Sequence, residues 1–152
     1  MSKQKVIICH SINENLADAI SQCTYDKLFI LVDEHTRKLC IPLIKEAGFM
    51  KDAQLICIGA EDVHKNLDTL AYVWKQLGDR GATRHSLLVN LGGGMVTDLG
   101  GFAASTFKRG IKYINVPTTL LAMVDASVGG KTGINFNGLK NEIGVFSPAE
   151  SV

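Results

Sequence analysis

Short apolar, β-branched runs alternate with longer amphipathic segments along the chain, and that alternation restricts the folds open to it. Residues 6–9, 28–32, 55–58, 86–91 and 113–116 have the length and composition of strands. Between them, residues 15–22, 67–77 and 95–107 carry helical spacing. So does a segment after Thr36 that puts Leu39, Leu43, Ile44 and Ala47 on one face and closes at Gly48. Pro42 falls inside that helix, where it delays the start or kinks the axis. Strands separated by helices of this length imply βαβ units with right-handed crossovers. The pattern predicts an α/β fold: a Rossmann-like, mainly parallel sheet flanked by helices. No internal repeat, low-complexity tract or linker interrupts it, so residues 1–152 read as one domain.

Composition narrows the function classes. Sixteen basic and fifteen acidic side chains give a formal charge of +1, so the chain as a whole draws neither nucleic acid nor membrane, and any basic site is local. No apolar run reaches the roughly 20 residues that span a bilayer. The N-terminus opens on a strand-like run rather than a signal segment, which makes the expected location cytoplasmic. Cys9, Cys23, Cys40 and Cys57 stand singly in or beside apolar segments, as small hydrophobes of a reduced compartment do. His10, His35, His64 and His85 show no pairing, and no metal site is expected in this chain.

In a parallel sheet, ligands gather at the carboxyl ends of the strands. Asp33, the stretch 59–65, Gly92 to Gly94 and Pro117 to Thr119 each follow a predicted strand and should share that edge. Gly92-Gly93-Gly94 leads directly into a helix. Three residues without Cβ let a backbone approach a ligand closely, and the helix N-terminus favours an anion such as a diphosphate. The same glycines also suit a merely tight turn, and Asp98 in the first helical turn is favoured by the dipole alone. Asp33 can accept bonds from ribose hydroxyls or cap the next helix. Gly130-Lys131-Thr132 imitates the end of a P-loop, but position 125 is Asp where that loop needs Gly, so the triphosphatase reading fails. Lys131, Lys140 and Arg109 remain phosphate or carboxylate partners or solvated loop cations.

Four motifs in order resemble the 3-dehydroquinate synthase family. They are Gly92-Gly93-Gly94-Met95-Val96-Thr97-Asp98, Arg109-Gly110, the run from Val116-Pro117-Thr118-Thr119 through Asp125 to Gly130-Lys131-Thr132, and Gly138-Leu139-Lys140-Asn141. The resemblance implies an NAD-dependent lyase that turns a seven-carbon sugar-acid phosphate into a carbocycle and phosphate. It implies the N-terminal, NAD-binding domain of that fold, with Zn²⁺ or Co²⁺ held by a Glu and two His of a C-terminal helical domain outside this chain, so that the 152 residues alone are expected to be inactive. Carried over residue by residue, Gly93, Gly94, Met95 and Asp98 line the dinucleotide, Asp33 its adenosine ribose, and Thr118, Thr119 and Leu121 the cofactor. Asp125, Lys131 and Asn141 match substrate positions, with Lys131 and Lys140 also near NAD. Arg109 matches a residue passed across a dimer interface, which implies a homodimer.

Three positions depart from the family pattern. Thr97 stands where Gly is typical, and Ala126 where Ser is common. The family shows Gly-Glu, two residues, then Lys, against Ala60-Glu61-Asp62-Val63-His64-Lys65 here. Anchoring on Lys65 puts Asp62 in the Glu position, whereas anchoring on Glu61 requires one extra residue. Both acids stand as candidates for the cofactor.

Overall fold

A computed structural model describes residues 4–126 and 129–152. Among them, β1 (Leu28–Asp33), β2 (Ala53–Ile58), β3 (Leu87–Gly92) and β4 (Lys112–Pro117) form an all-parallel sheet in the order β2-β1-β3-β4. The helices are α1 (Ile12–Ser21), α2 (Glu34–Leu39), α3 (Ile41–Ile44), α4 (Leu67–Asp79) and α5 (Gly94–Thr106). Period-two alternation sends Phe29, Leu31 and Leu88 into the core shared with α4 and α5, and Leu28, Ile30, Val32, Leu87 and Val89 into the core shared with α1 and α3. Cover on both faces is why these strands are apolar at nearly every position. The sheet is parallel as expected and holds four of the five expected strands.

Strand order places the functional edge. From β1 the chain steps outward to β2, then crosses back over β1 to lay β3 on its other side. Between the carboxyl ends of β1 and β3 the winding reverses, the position at which ligands gather in sheets of this kind. Asp33 ends β1 there and Gly92 ends β3.

Local chemistry sets the helix ends. Asp33 caps α2 in a reciprocal box: Thr36 N–H donates to Asp33 Oδ1 at 2.8 Å, and Asp33 N–H donates to Thr36 Oγ1 at 3.0 Å. Pro42, with no N–H to give, sits in the first turn of α3 and splits the expected single helix in two. Asn66 caps α4 by accepting from Thr69 N–H at 2.9 Å. By contrast, α5 begins at Gly93 with no side-chain cap.

Two expectations fail. Residues 6–9 are not a strand: Lys5 makes a lone parallel bridge to Ser151, and Ile7 N–H donates to Val152 O at 2.7 Å. Ser151 in turn bridges Ile114 of β4. Among the described residues the N-terminal segment pairs only through the bridge to Ser151, and Val6 and Ile8 stay 56% and 81% exposed. Conversely, a stretch read as a loop motif is a hairpin of β5 (Ile134–Phe136) and β6 (Leu139–Ile143). Asn137 (φ 53°) and Gly138 (φ 75°) supply the two positive φ angles that a tight two-residue hairpin needs.

The backbone after β6 crosses the segment carrying Lys131 and Thr132. Thr132 N–H donates to Val145 O at 3.1 Å, and Gly144 lies so near that a Cβ on it would sit 1.9 Å from Thr132 O. Gly144→Ala therefore forces two backbones apart. It is expected to lower stability by about 1–3 kcal/mol in urea unfolding, and an unchanged midpoint would contradict the crossing.

Tyr113 is buried in β4 and donates to Ser147 O. Burial, with the Asp98 charge adding to it, pushes its hydroxyl pKa up to about 12. Its pKa in the unfolded chain is about 10, so the folded state holds the proton more tightly. The associated stability is intact below pH 10 and is lost as the pH climbs towards about 12, at roughly 1 kcal/mol per pH unit. Tyr113→Phe is expected to flatten that decline in urea melts between pH 10 and 12.

Candidate functional site

Lys65 ends the short helical turn Asp62–His64 and is buried, although residues 61–64 before it are exposed. Its Nζ donates to Asp98 Oδ2 at 2.7 Å and to Asn141 Oδ1 at 2.5 Å. An ammonium withdrawn from water costs several kcal/mol unless countered. Here one carboxylate neutralises it and one carboxamide oxygen accepts a further hydrogen bond from it. Three segments, the turn after β2, helix α5 and the β5–β6 hairpin, thus meet on one side chain. Gly133 N–H reinforces the junction by donating to Asp98 O at 3.1 Å.

Beside this cluster lies the glycine turn. Thr118 N–H donates to Gly92 O at 2.9 Å, fastening the end of β4 to that of β3. A Cβ on Gly93 would come within 3.1 Å of Thr119 Cγ2, so the backbone there stays bare. Gly94 and Met95 form the first turn of α5, the positive end of its dipole. Thr97, where the family pattern has Gly, is accommodated: its buried hydroxyl turns back on its own helix, 3.2 Å from Gly93 O and 3.3 Å from Gly94 O.

The fold gathers most of the expected residues and leaves some aside. Lys65, Asp98 and Asn141 touch. Gly93, Gly94, Met95, Thr118 and Thr119 share one turn region, and Asp33, at the end of the neighbouring strand β1, caps α2. Lys131, Lys140 and Leu121 are exposed, Leu121 by 72%. Glu61 is exposed with φ 74°, whereas Asp62 Oδ2 accepts from Asn135 Nδ2 at 2.8 Å. The Asp125 side chain lies outside the described residues. Arg109 is not brought to the cluster: it follows the far end of α5, roughly 18 Å from the glycine turn at 1.5 Å rise per residue, at the amino edge of the sheet.

Among the described residues, no group of three or more His, Cys, Asp or Glu could hold a metal ion. The Cys23, Cys40 and Cys57 thiols are pushed up in pKa by burial, which disfavours the thiolate a metal ligand or nucleophile requires. Sequence reading missed Asn135, which joins Asp62 to the hairpin. The Asn137-Gly138 pair two residues on was the available signal for the hairpin that carries it.

Comparison with known proteins gives the cluster a family. Residues 55–152 match the family model described as 3-dehydroquinate synthase N-terminal. A 3-dehydroquinate synthase of Parabacteroides distasonis is 56% identical over 148 residues, 97% of this chain and 42% of the relative. That of Pyrococcus furiosus is 44% identical over 133 residues, 86% of this chain and 39% of the relative. The chain thus spans about two fifths of the length of the curated relatives it matches. Among solved structures, 2-epi-5-epi-valiolone synthase from Streptomyces hygroscopicus, with NAD⁺ and Zn²⁺ bound, superposes with a TM-score of 0.87 at 31% identity, over 99% of this chain and 42% of that one. A 2-deoxy-scyllo-inosose synthase complexed with carbaglucose-6-phosphate, NAD⁺ and Co²⁺ superposes with a TM-score of 0.86 at 25% identity, over 96% of this chain and 41% of that one. With the sheet, the glycine turn and the buried lysine cluster in place, the chain belongs to the 3-dehydroquinate synthase family, whose N-terminal region it matches.

Proposed function

We propose that this chain forms the cofactor-binding wall of a 3-dehydroquinate synthase. The whole enzyme converts 3-deoxy-D-arabino-heptulosonate 7-phosphate into 3-dehydroquinate and phosphate, with catalytic NAD and a Zn or Co ion. The observation that carries the reading is the meeting of Lys65, Asp98 and Asn141 beside an uncapped glycine turn at the carboxyl edge of a parallel sheet. Identity of 56% to a 3-dehydroquinate synthase, against 25–31% to the two other cyclases, favours this substrate over theirs.

The start of α5, which no side chain caps, suits the diphosphate of a dinucleotide, so the residues present fit NAD. When bound, NAD supplies a reversible hydride acceptor for a substrate carbinol. Gly93, Gly94 and Met95 hold its diphosphate, Asp33 its adenosine ribose, and Thr118, Thr119, Leu121 and Lys140 line it. Asp98 fixes Lys65 against that pocket. Asn141 and Asp125 orient substrate hydroxyls, and Lys131 offsets negative charge as a proton leaves the sugar acid. Arg109, remote from its own cluster, serves the phosphate in a partner's site, which makes the working enzyme a homodimer. The described residues do not fit a catalytic metal, and no step is assigned to one. No helix among them is long and apolar enough to cross a membrane, in keeping with a cytoplasmic enzyme.

Calorimetry tests the cofactor site directly. The 152-residue chain is expected to bind NAD, and Lys65→Met to weaken that binding about tenfold or more, as loss of a charged hydrogen bond does. The same change removes the charge that neutralises Asp98 and is expected to cost about 3 kcal/mol of stability. Replacing both partners, Lys65→Met with Asp98→Leu, should restore stability without restoring NAD affinity. Phosphate release from the heptulosonate is expected to be absent with the 152 residues alone. It is expected to be present in a protein that also carries the metal-holding region, and failure of that protein would sink the synthase reading.

A further inference from the structure

Asn135, at the centre of β5, has no role in the scheme above, yet its backbone N–H and both ends of its carboxamide are spent on that scheme. Its N–H donates to Lys65 O at 2.8 Å. Its Nδ2 donates to Asp62 Oδ2 at 2.8 Å. Its Oδ1 accepts from Asn141 N–H at 2.9 Å. One residue thus grips both ends of the turn that carries Lys65 and the backbone of the residue that Lys65 bonds.

The grip on Asn141 has a physical reason. Asn141 has φ 53°, a left-handed conformation that asparagine tolerates better than other non-glycine residues. The bond from its N–H to Asn135 Oδ1 holds this backbone in place, and from it the Asn141 carboxamide reaches to 2.5 Å from Lys65 Nζ. The chemistry also selects the residue type. Asp62 offers only acceptors and the Asn141 N–H only a donor, so the side chain between them must donate at one end and accept at the other. A carboxamide on a short stem does both. A carboxylate at position 135 would face Asp62 with like charge.

We propose that Asn135 is the positioning residue of the cofactor cluster, with Asp62 as its anchor. It sets Asn141 and Lys65 in register and itself touches neither cofactor nor substrate. The inference builds on the cofactor reading above and settles which acid of the 61–65 turn that reading needs. The Asp62 carboxylate is committed to the hairpin, and Glu61 is the acid left to the dinucleotide.

A polarity swap in the 152-residue chain tests this. In Asn135→Asp both ends of the clamp are disturbed. In Asp62→Asn with Asn135→Asp the donor and acceptor change places, so Asn at 62 donates to Asp at 135, which still accepts from Asn141 N–H. The readouts are hydrogen exchange of the Asn141 amide, which needs no ligand, and NAD affinity by calorimetry. Asn135→Asp is expected to speed exchange and weaken NAD about tenfold each, the scale of one lost hydrogen bond to a charged group. The swapped pair is expected to bring both back to within about threefold of the parent. A swapped pair no better than Asn135→Asp overturns the clamp, and so does an Asn135→Asp chain with parental exchange and affinity. Restored exchange without restored affinity overturns the assignment of Asp62 as anchor rather than ligand. Should the parent chain bind no NAD, the cofactor reading fails by itself, and the exchange arm still decides the clamp.

Discussion

Lys65 carries its charge where only 5% of its surface meets water, and a charge so placed must have its partners fixed close by. That requirement ties together parts of the chain that sequence keeps far apart. Asp98 is 33 residues away on a helix and Asn141 is 76 residues away on a hairpin. Each must be delivered by its own element to within hydrogen-bond reach. The parallel sheet delivers the turn and the helix, because β2 and β3 both end at the same edge. The hairpin is delivered by its own turn chemistry and by the close crossing at Gly144.

The edge has a division of labour that follows from geometry. The missing Cβ at Gly93 lets the Thr119 side chain pack against the start of α5, while side chains a turn further along α5 and across the hairpin fix charge beside it. Asp33 serves both ends of the argument: its Oδ1 caps α2, and its position at the end of β1 faces the glycine turn across the reversal of winding. Arg109 sits at the opposite edge, one helix length away.

Much of the fold was legible because its signals are local. The runs that became β1 to β4 are apolar at nearly every position, since both faces are covered, and the helices between them show the matching period. What escaped depends on pairing. Residues 6–9 have strand composition but only a short edge partner, so composition promised more than the sheet supplies. The hairpin escaped for the opposite reason: β6 is exposed throughout and polar at its centre, with Lys140, Asn141 and Glu142, so no burial pattern announces it. Its Asn-Gly turn was the one sign. At the site, the residue types were legible from the motifs, but their convergence was not. Spacings of 33 and 76 residues say nothing of contact, and Asn135 carries no chemical signature until Asp62 and Asn141 are seen on either side of it.

Under the proposed function, the carboxyl edge at the ends of β1, β3 and β4, beside the Lys65 cluster, is a dinucleotide site. The most direct test is titration of the isotopically labelled chain with NAD, followed residue by residue by backbone amide resonances. The account predicts saturable shifts concentrated at Asp33, Gly93, Gly94, Met95, Thr118 and Thr119, accompanied by the Lys65 and Asn141 amides. Shifts centred elsewhere on the sheet, or none at NAD concentrations that saturate related synthases, would contradict it.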